Sequence, residues 1–258
     1  TGGTYAGAVA VFSGAEDGDT ISTAETMFTG TGSYQYVGYA FEPVGDVDGD
    51  GNNDLLVGSY NNNAAYLVYG PSTGTFTGSS ADVTFNGTTY GGRSVISGDF
   101  DDDGYVDVVL GSYGDSSYAG SLHYFYGPIS GSTSLTAGTD SSATITGEAT
   151  YEYFGYYDSG NAVGDIDGDG TDDLLAGSYY NATGNSYGGG AFLFYGALSG
   201  SYSLSDAEVI VYGDGSTYTA RAVTLGDLNN DGALDLVTGS GYAGGYGGEA
   251  YVFFNGSF

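Results

Sequence analysis

The chain has 258 residues, enough for a substantial core, with 40% hydrophobic residues, 50 Gly, 27 Tyr, no Cys and no Trp. Thirty-two acids face only Arg93 and Arg221, a formal charge of −30 that argues against nucleic acid or an anionic membrane surface as a partner. No apolar run approaches the ~20 residues of a membrane span, which argues against membrane insertion, and the lack of Cys removes disulfides as staples.

No stretch sustains helical spacing. Short apolar runs between Gly, Asn, Ser and Asp turns predict an all-β protein. Residues 1–30 read as a partial unit, with Ala8–Phe12 and Glu25–Phe28 as its two strands. A longer unit then recurs over 31–89, 90–150, 151–215 and 216–258, the last without its outer strand. Each holds an inner strand, an acidic loop, a second strand such as Asp54–Val57, and an aromatic third strand. The third strands are Ala65–Tyr69, Leu122–Tyr126, Ala191–Tyr195 and Ala250–Phe254; outer strands follow at Ala81–Phe85, Ala143–Thr146 and Glu208–Tyr212. The loops start 53, 66 and 62 residues apart, the period of a β-propeller blade of four antiparallel strands. Thr1 is not Met and no signal-peptide pattern follows it, so the chain reads as a mature or excised piece.

The acidic loops carry the chemistry. Asp46, Asp48, Asp50 and Asp54 form the first, with Gly51 at the sharp turn and Asn52 as backbone carbonyl donor. Asp99, Asp101, Asp103 and Asp107 form the second, with Gly104 and Tyr105. Asp165, Asp167, Asp169 and Asp173 form the third, with Gly170 and Thr171. The fourth has Asp227, Asn229, Asp231 and Asp235 around Gly232 and Ala233. Carboxylates at alternate positions of a tight loop converge on one point, and Ca²⁺, which takes six to eight oxygens in flexible geometry, suits them. Four calcium sites are therefore expected, the fourth weakest because Asn229 lacks a charge.

An EF-hand is excluded. Its twelfth-position Glu is replaced by Val57, Leu110, Ala176 and Thr238, and an apolar strand follows where a helix should. The carboxylates would repel one another without metal, so folding should couple to calcium. Sites of this kind fill at the millimolar calcium found outside cells, which places the chain there. The metal is expected to be structural, since a catalytic one needs an open position and a nearby base.

Phe154-Gly155, Gly164-Asp165 and Leu174-Leu-Ala-Gly-Ser178, taken with the four loops, resemble the FG-GAP repeat of integrin α-subunit propellers and many bacterial surface proteins. The resemblance covers almost the whole chain. It implies a propeller with calcium in the loops between first and second strands, and an extracellular or cell-surface setting. The Phe-Gly pair departs from it: only Phe154-Gly155 is clear, with Val37-Gly38 weaker. Propellers of the family commonly have seven blades, against four and a part here.

Other features have plainer accounts. His123, the sole His, falls in a third strand, where packing or exposure suffices. Gly70-Pro71-Ser72-Thr73-Gly74 spells a nucleophile elbow but follows a strand with no helix signal, so a turn explains it better. Arg93 and Arg221 each precede a loop by six residues and suggest a shared structural post, with a channel carboxylate as partner. Tyr113, Tyr118, Tyr187, Tyr242 and Tyr246 lie in Gly-rich turns and are expected to face solvent and partners. Asn86, Asn181 and Asn255 open glycosylation sequons.

The functional expectation is a non-enzymatic, calcium-stabilised surface module for binding or adhesion, with a protein or glycan ligand. A filament subunit that self-assembles by strand completion between copies, and a carbohydrate-binding lectin, are the alternatives.

Overall fold

The computed structural model describes residues 3–14, 19–131, 133–156, 160–182, 187–215 and 217–255. It is all-β, with helical turns of only three or four residues. The first two strands are β1 (Ala8–Val11) and β2 (Thr26–Thr29). The first full repeat supplies β3 (Phe41–Val44), β4 (Asp54–Ser59), β5 (Ala64–Val68), β6 (Gly74–Phe76) and β7 (Val83–Asn86). The second supplies β8 (Gly91–Gly98), β9 (Asp107–Ser112), β10 (Ser121–Phe125), β11 (Thr133–Thr136) and β12 (Ala143–Thr146). The third supplies β13 (Asn161–Gly164), β14 (Asp173–Ser178), β15 (Gly190–Phe194), β16 (Gly200–Ser203) and β17 (Val209–Tyr212). Last come β18 (Thr219–Gly226), β19 (Asp235–Ser240) and β20 (Glu249–Phe253).

Inner, second, third and outer strands pair antiparallel within the three middle sheets, as expected. The sheets stand side by side in sequence order, with β3, β8 and β13 lining a shared cavity of about 470 Å³. This arrangement fits a β-propeller whose sheets are not closed into a ring.

Each sheet was expected to hold four strands, and here the structure differs. The segment between third and outer strand reaches back and pairs in parallel with the outer strand of the preceding sheet: β6 on β2, β11 on β7, β16 on β12. Two sheets thereby gain a fifth strand, giving the orders β11-β7-β5-β4-β3 and β16-β12-β10-β9-β8. These added strands are short, polar and mostly exposed, so their sequences carry no hydrophobic alternation to announce them. The acceptor strands do alternate: β2, β7 and β12 bury every second residue.

Burial explains the other patterns. β9, β14, β5, β10 and β15 are buried along their whole length, covered on both faces by neighbouring sheets, which is why they read as unbroken apolar runs. Four apolar clusters fill the four gaps between five sheets. The largest includes Ile96, Leu122 and Ile145 from one sheet and Leu174, Phe192 and Phe194 from the next.

Close backbone approach sets the join between repeats. A Cβ on Gly58, Gly111 or Gly177 would sit 2.2, 2.5 or 2.2 Å from the carbonyl oxygen of Gly92, Gly155 or Ala220 in the following repeat. Those three residues have φ of +82°, +76° and +65°. The counterparts of Phe154-Gly155 are thus Gly91-Gly92 and Thr219-Ala220, with Val37-Gly38 as the fourth. The Phe-Gly spelling hid them because what the position requires is a positive φ, which Ala220 adopts at a cost of ~1 kcal/mol.

Candidate metal centres and the tyrosine rim

Antiparallel pairing puts the acidic loops, which join inner to second strands, at one end of the sheets. The connections from second to third strand, and from outer strand to the next inner one, lie at the other end. The two ends have opposite chemistry.

At the first end, the leading Asp of each loop folds the loop over itself. Asp46 Oδ1 accepts from Gly49 N at 2.7 Å and its Oδ2 from Gly51 N at 2.8 Å. Asp165 repeats this with Gly168 N at 2.7 Å and Gly170 N at 3.0 Å. Asp99 and Asp227 hold the N–H of Gly104 and Gly232 at 3.1 and 3.0 Å. Asp50, Asp103, Asp169 and Asp231 each accept the N–H of the next residue but one, namely Asn52, Tyr105, Thr171 and Ala233. The local fold is written by carboxylate-to-amide bonds that leave other lone pairs pointing inward.

Three loops gather carboxylates. Asp46, Asp48 and Asp50 bring oxygens within 4.8 Å of one another, as do Asp99, Asp101 and Asp107, and Asp165, Asp167 and Asp173. Oxygens in a coordination shell of 2.3–2.6 Å radius lie no farther apart than about 5 Å, so a calcium ion fits each donor set. Among the described residues the fourth loop forms no such three-carboxylate group. Asn229 turns its amide nitrogen to Asp231 Oδ2 at 2.8 Å, a bond that Asp would not donate. Asp54, Asp103 and Asp169 belong to their loops but stand outside these groups.

The ninth-position Asp has a second duty that spacing did not reveal. Asp54, Asp107, Asp173 and Asp235 are buried, and one oxygen of each accepts the N–H of Val47, Phe100, Ile166 or Leu228 across the loop. The other accepts the N–H of Gly70, Gly127, Gly196 or Asn255, where the chain leaves the third strand. This carboxylate pins the loop to the neighbouring turn. Burial pushes Asp54 and Asp173 up from the usual range and Asp107 up to about 7, against the pull of those N–H groups. A nearby cation would relieve the cost.

At the opposite end, among the described residues, tyrosine rings touch in two series, one from Tyr5 to Tyr60 and one from Tyr90 to Tyr246. The contacts include Tyr36 on Tyr60 (5.2 Å between centroids), Tyr90 on Tyr113 (4.9 Å), Tyr153 on Tyr180 (5.3 Å) and Tyr218 on Tyr242 (5.0 Å). Tyr246, Tyr187 and Tyr242 are exposed, as expected, but Tyr113 and Tyr118 are half-buried within the ring chain. Arg93 is buried rather than set in the channel: its guanidinium lies 3.7 Å from the Tyr39 centroid and 4.5 Å from that of Tyr156, whose hydroxyl accepts from it at 2.8 Å. Among the described residues, aromatic faces supply electron density to this guanidinium. Arg221 is exposed, 5.7 Å from the Tyr179 ring.

The remaining candidates settle into structural roles. His123 is buried, with Nε2 2.8 Å from Ser121 Oγ and 3.5 Å from Asp115, and Nδ1 3.1 Å from Thr144 Oγ1. Burial favours the neutral form of Asp115, but hydrogen bonds from His123, Ser121, Thr88 and the Thr89 N–H outweigh it and hold the carboxyl below its ordinary range. Ser72 donates to the Tyr69 carbonyl, and β6 rather than a helix follows it. Asn181 is buried against Glu152, Asn86 donates to Ser134 Oγ at 2.7 Å, and Asn255 to the Ile166 carbonyl at 2.6 Å. Two sequons end at Thr183 and Ser257, outside the described residues.

Sheets in series, four of them with an acidic loop at one end and joined to their neighbours through positive-φ residues, define a class of acidic-loop repeat proteins. The FG-GAP-like repeat model matches residues 46–110 and 165–238, more than half of the chain. The chain belongs to that FG-GAP-like repeat family, and it is integrin α-like. Integrin alpha-PS2 of Drosophila melanogaster is 29% identical over 194 residues, 67% of this chain and 12% of that protein. Integrin alpha-5 of Xenopus laevis is 30% identical over 172 residues, 65% of this chain and 15% of its own. The phosphatidylinositol-glycan-specific phospholipase D of Bos taurus is 31% identical over 176 residues, 64% of this chain and 21% of its own. The chain thus spans about a fifth or less of these relatives' lengths, and its repeats occur beside both integrin and phospholipase names.

Proposed function

We propose that the chain is a calcium-stabilised β-propeller, or a large part of one, that serves outside the cell as a binding and adhesion module. Its blades follow the repeats 31–89, 90–150, 151–215 and 216–258, with 1–30 as a partial blade. The observation that carries the calcium role is the convergence of three carboxylates, three times over, at the same point of successive repeats. Asp46, Asp48, Asp50, Asp99, Asp101, Asp103, Asp165, Asp167 and Asp169 would supply side-chain oxygens. Asp54, Asp107 and Asp173 would ligate while holding the loop to its neighbouring turn. Asn52, Tyr105 and Thr171 would add backbone carbonyls. Asp227, Asn229, Asp231, Ala233 and Asp235 form a fourth site of lower affinity, because one charge is absent and the carboxylates are not gathered. The ion neutralises the loops and is not part of a reaction.

The relatives that are integrins support adhesion to a protein ligand, and the rim of connections opposite the loops is the surface for it. No helix among the described residues is long and apolar enough to cross a membrane. The test is calcium titration of the full chain by calorimetry, with thermal unfolding in calcium and in chelator. Three tight sites and one weak site, with unfolding shifted upward by calcium, are expected. Unfolding at the same temperature in both conditions would overturn the calcium role.

A further inference from the structure

The tyrosine rim carries two adjoining clefts that the loops do not explain. One, of about 620 Å³, is walled among the described residues by tyrosine alone, including Tyr118, Tyr151, Tyr153 and Tyr180. The other, of about 420 Å³, shares Tyr179 and Tyr180 with it and adds Tyr218, Tyr242, Tyr246 and Arg221. They form one continuous aromatic trough.

The backbone shows that these rings are costly to place. Tyr118, Tyr151 and Tyr153 in the first cleft have φ of +65°, +62° and +57°; Tyr218 and Tyr246 in the second have +52° and +74°. That is the left-handed region, which glycine enters freely and a Cβ-bearing residue resists. A chain with 50 glycines has used tyrosine at these turns instead. Strain kept at a surface points to a function for the side chain held there. Tyr246 is 82% exposed and Tyr151 58%, so the burial of these two rings does not repay the strain.

The wall chemistry selects the ligand. Each ring offers an electron-rich face and, at its edge, a hydroxyl that donates and accepts on a rotating bond. A sugar ring is the complement: its axial C–H groups form an apolar, slightly positive face, and its rim is hydroxyl. Among the described residues no charged side chain lines the larger cleft, and the chain's charge of −30 repels sulfated or sialylated glycans. A peptide would bring fixed carbonyl and N–H groups that need fixed partners, and the described side chains of the larger cleft supply hydroxyls only. We propose that the trough is a neutral-oligosaccharide site, with Tyr151, Tyr153 and Tyr180 as stacking platforms in one cleft and Tyr218 and Tyr246 in the other. This names the ligand class of the binding module proposed above and depends on it.

The test uses the full chain in millimolar calcium. With no Trp present, intrinsic fluorescence reports the tyrosines alone. Neutral tetrasaccharides (cello-, manno- and malto-series), a sulfated counterpart and a ten-residue polyproline are titrated in turn. Saturable binding of at least one neutral series at about millimolar Kd or tighter, with none for the sulfated one, is expected. In Tyr151→Gly and Tyr246→Gly the backbone keeps its turn without strain, so affinity should fall about tenfold or more while Tm holds or rises. Unchanged affinity in both variants overturns the assignment, as does a calcium-stabilised protein that binds none of the neutral series. Saturable polyproline binding in place of sugar also overturns it, in favour of an extended peptide. A Tm indifferent to calcium would instead undo the calcium role and leave the sugar titration to be judged separately.

Discussion

Each sheet has two ends, and the chain treats them in opposite ways. At the loop end, carboxylates crowd together and the backbone bends to serve them, every loop using the same amide-to-carboxylate bonds. At the tyrosine end, the backbone is strained to hold rings out, and the rings vary in number and exposure from repeat to repeat. Uniform geometry is what an ion demands. Variation on a uniform scaffold is what recognition of a partner demands.

Removing calcium should separate the two ends most sharply. Sites with Kd of ~0.1–1 mM each contribute roughly 1.4–2.7 kcal/mol at ~10 mM calcium, so three together contribute about 4–8 kcal/mol. Chemical denaturation with and without chelator measures the difference, and loss should begin at the loop end, seen as faster amide exchange at Val47, Phe100 and Ile166. Next in size, Phe154→Ala empties a fully buried site beneath the tyrosine end and should cost about 3–5 kcal/mol. Its calcium stoichiometry, read by calorimetry, should stay unchanged.

Asp167→Ala and Asn229→Asp form a reciprocal pair. The first should remove one strong site and about 1–3 kcal/mol of calcium-dependent stability; the second should tighten the fourth site by a similar amount. Equal stoichiometry and affinity in both variants and the parent would count against the ligand assignment.

The smallest effect concerns Glu152, buried beside the tyrosine end. Its Oε2 accepts the N–H of Glu148 at 2.7 Å and of Ala149 at 2.9 Å, and its Oε1 accepts from Asn181. Burial raises its pKa, and these bonds only partly offset that. A carboxyl raised on folding binds its proton more tightly in the native state. Its stabilising contribution is full below the unfolded value of about 4.3 and is lost as pH rises through the folded value. Glu152→Gln should flatten that slope, with a change of ~1 kcal/mol near neutral pH, measurable as urea midpoints across pH 4–7.

The sequence made the acidic loops and the middle strands legible because both follow fixed chemical spacing. Asp at alternate positions before Gly can fold in few other ways, and strands buried on both faces must be apolar throughout. The parallel strands at 74–76, 133–136 and 200–203 escaped because each packs a single large apolar residue, Phe76, Leu135 or Tyr202, on the core, too few to make a pattern. The tyrosine rim escaped as a unit because its members are scattered over 240 residues, from Tyr5 to Tyr246, and meet only through topology. The pinning role of Asp107 and its equivalents was hidden for a similar reason: their partners lie 16–23 residues onward, in turns whose sequence shows no need of an acceptor.

The parallel strand that three of the repeats lend to their predecessors means that the unit of duplication and the unit of structure are out of phase. A copied stretch of gene brings a strand for the neighbour before it and asks for one from the neighbour after it, so an inserted repeat is stitched in on both sides. Under a stretching load the sheets behave like overlapping shingles: no single one can peel away without first unlacing the next.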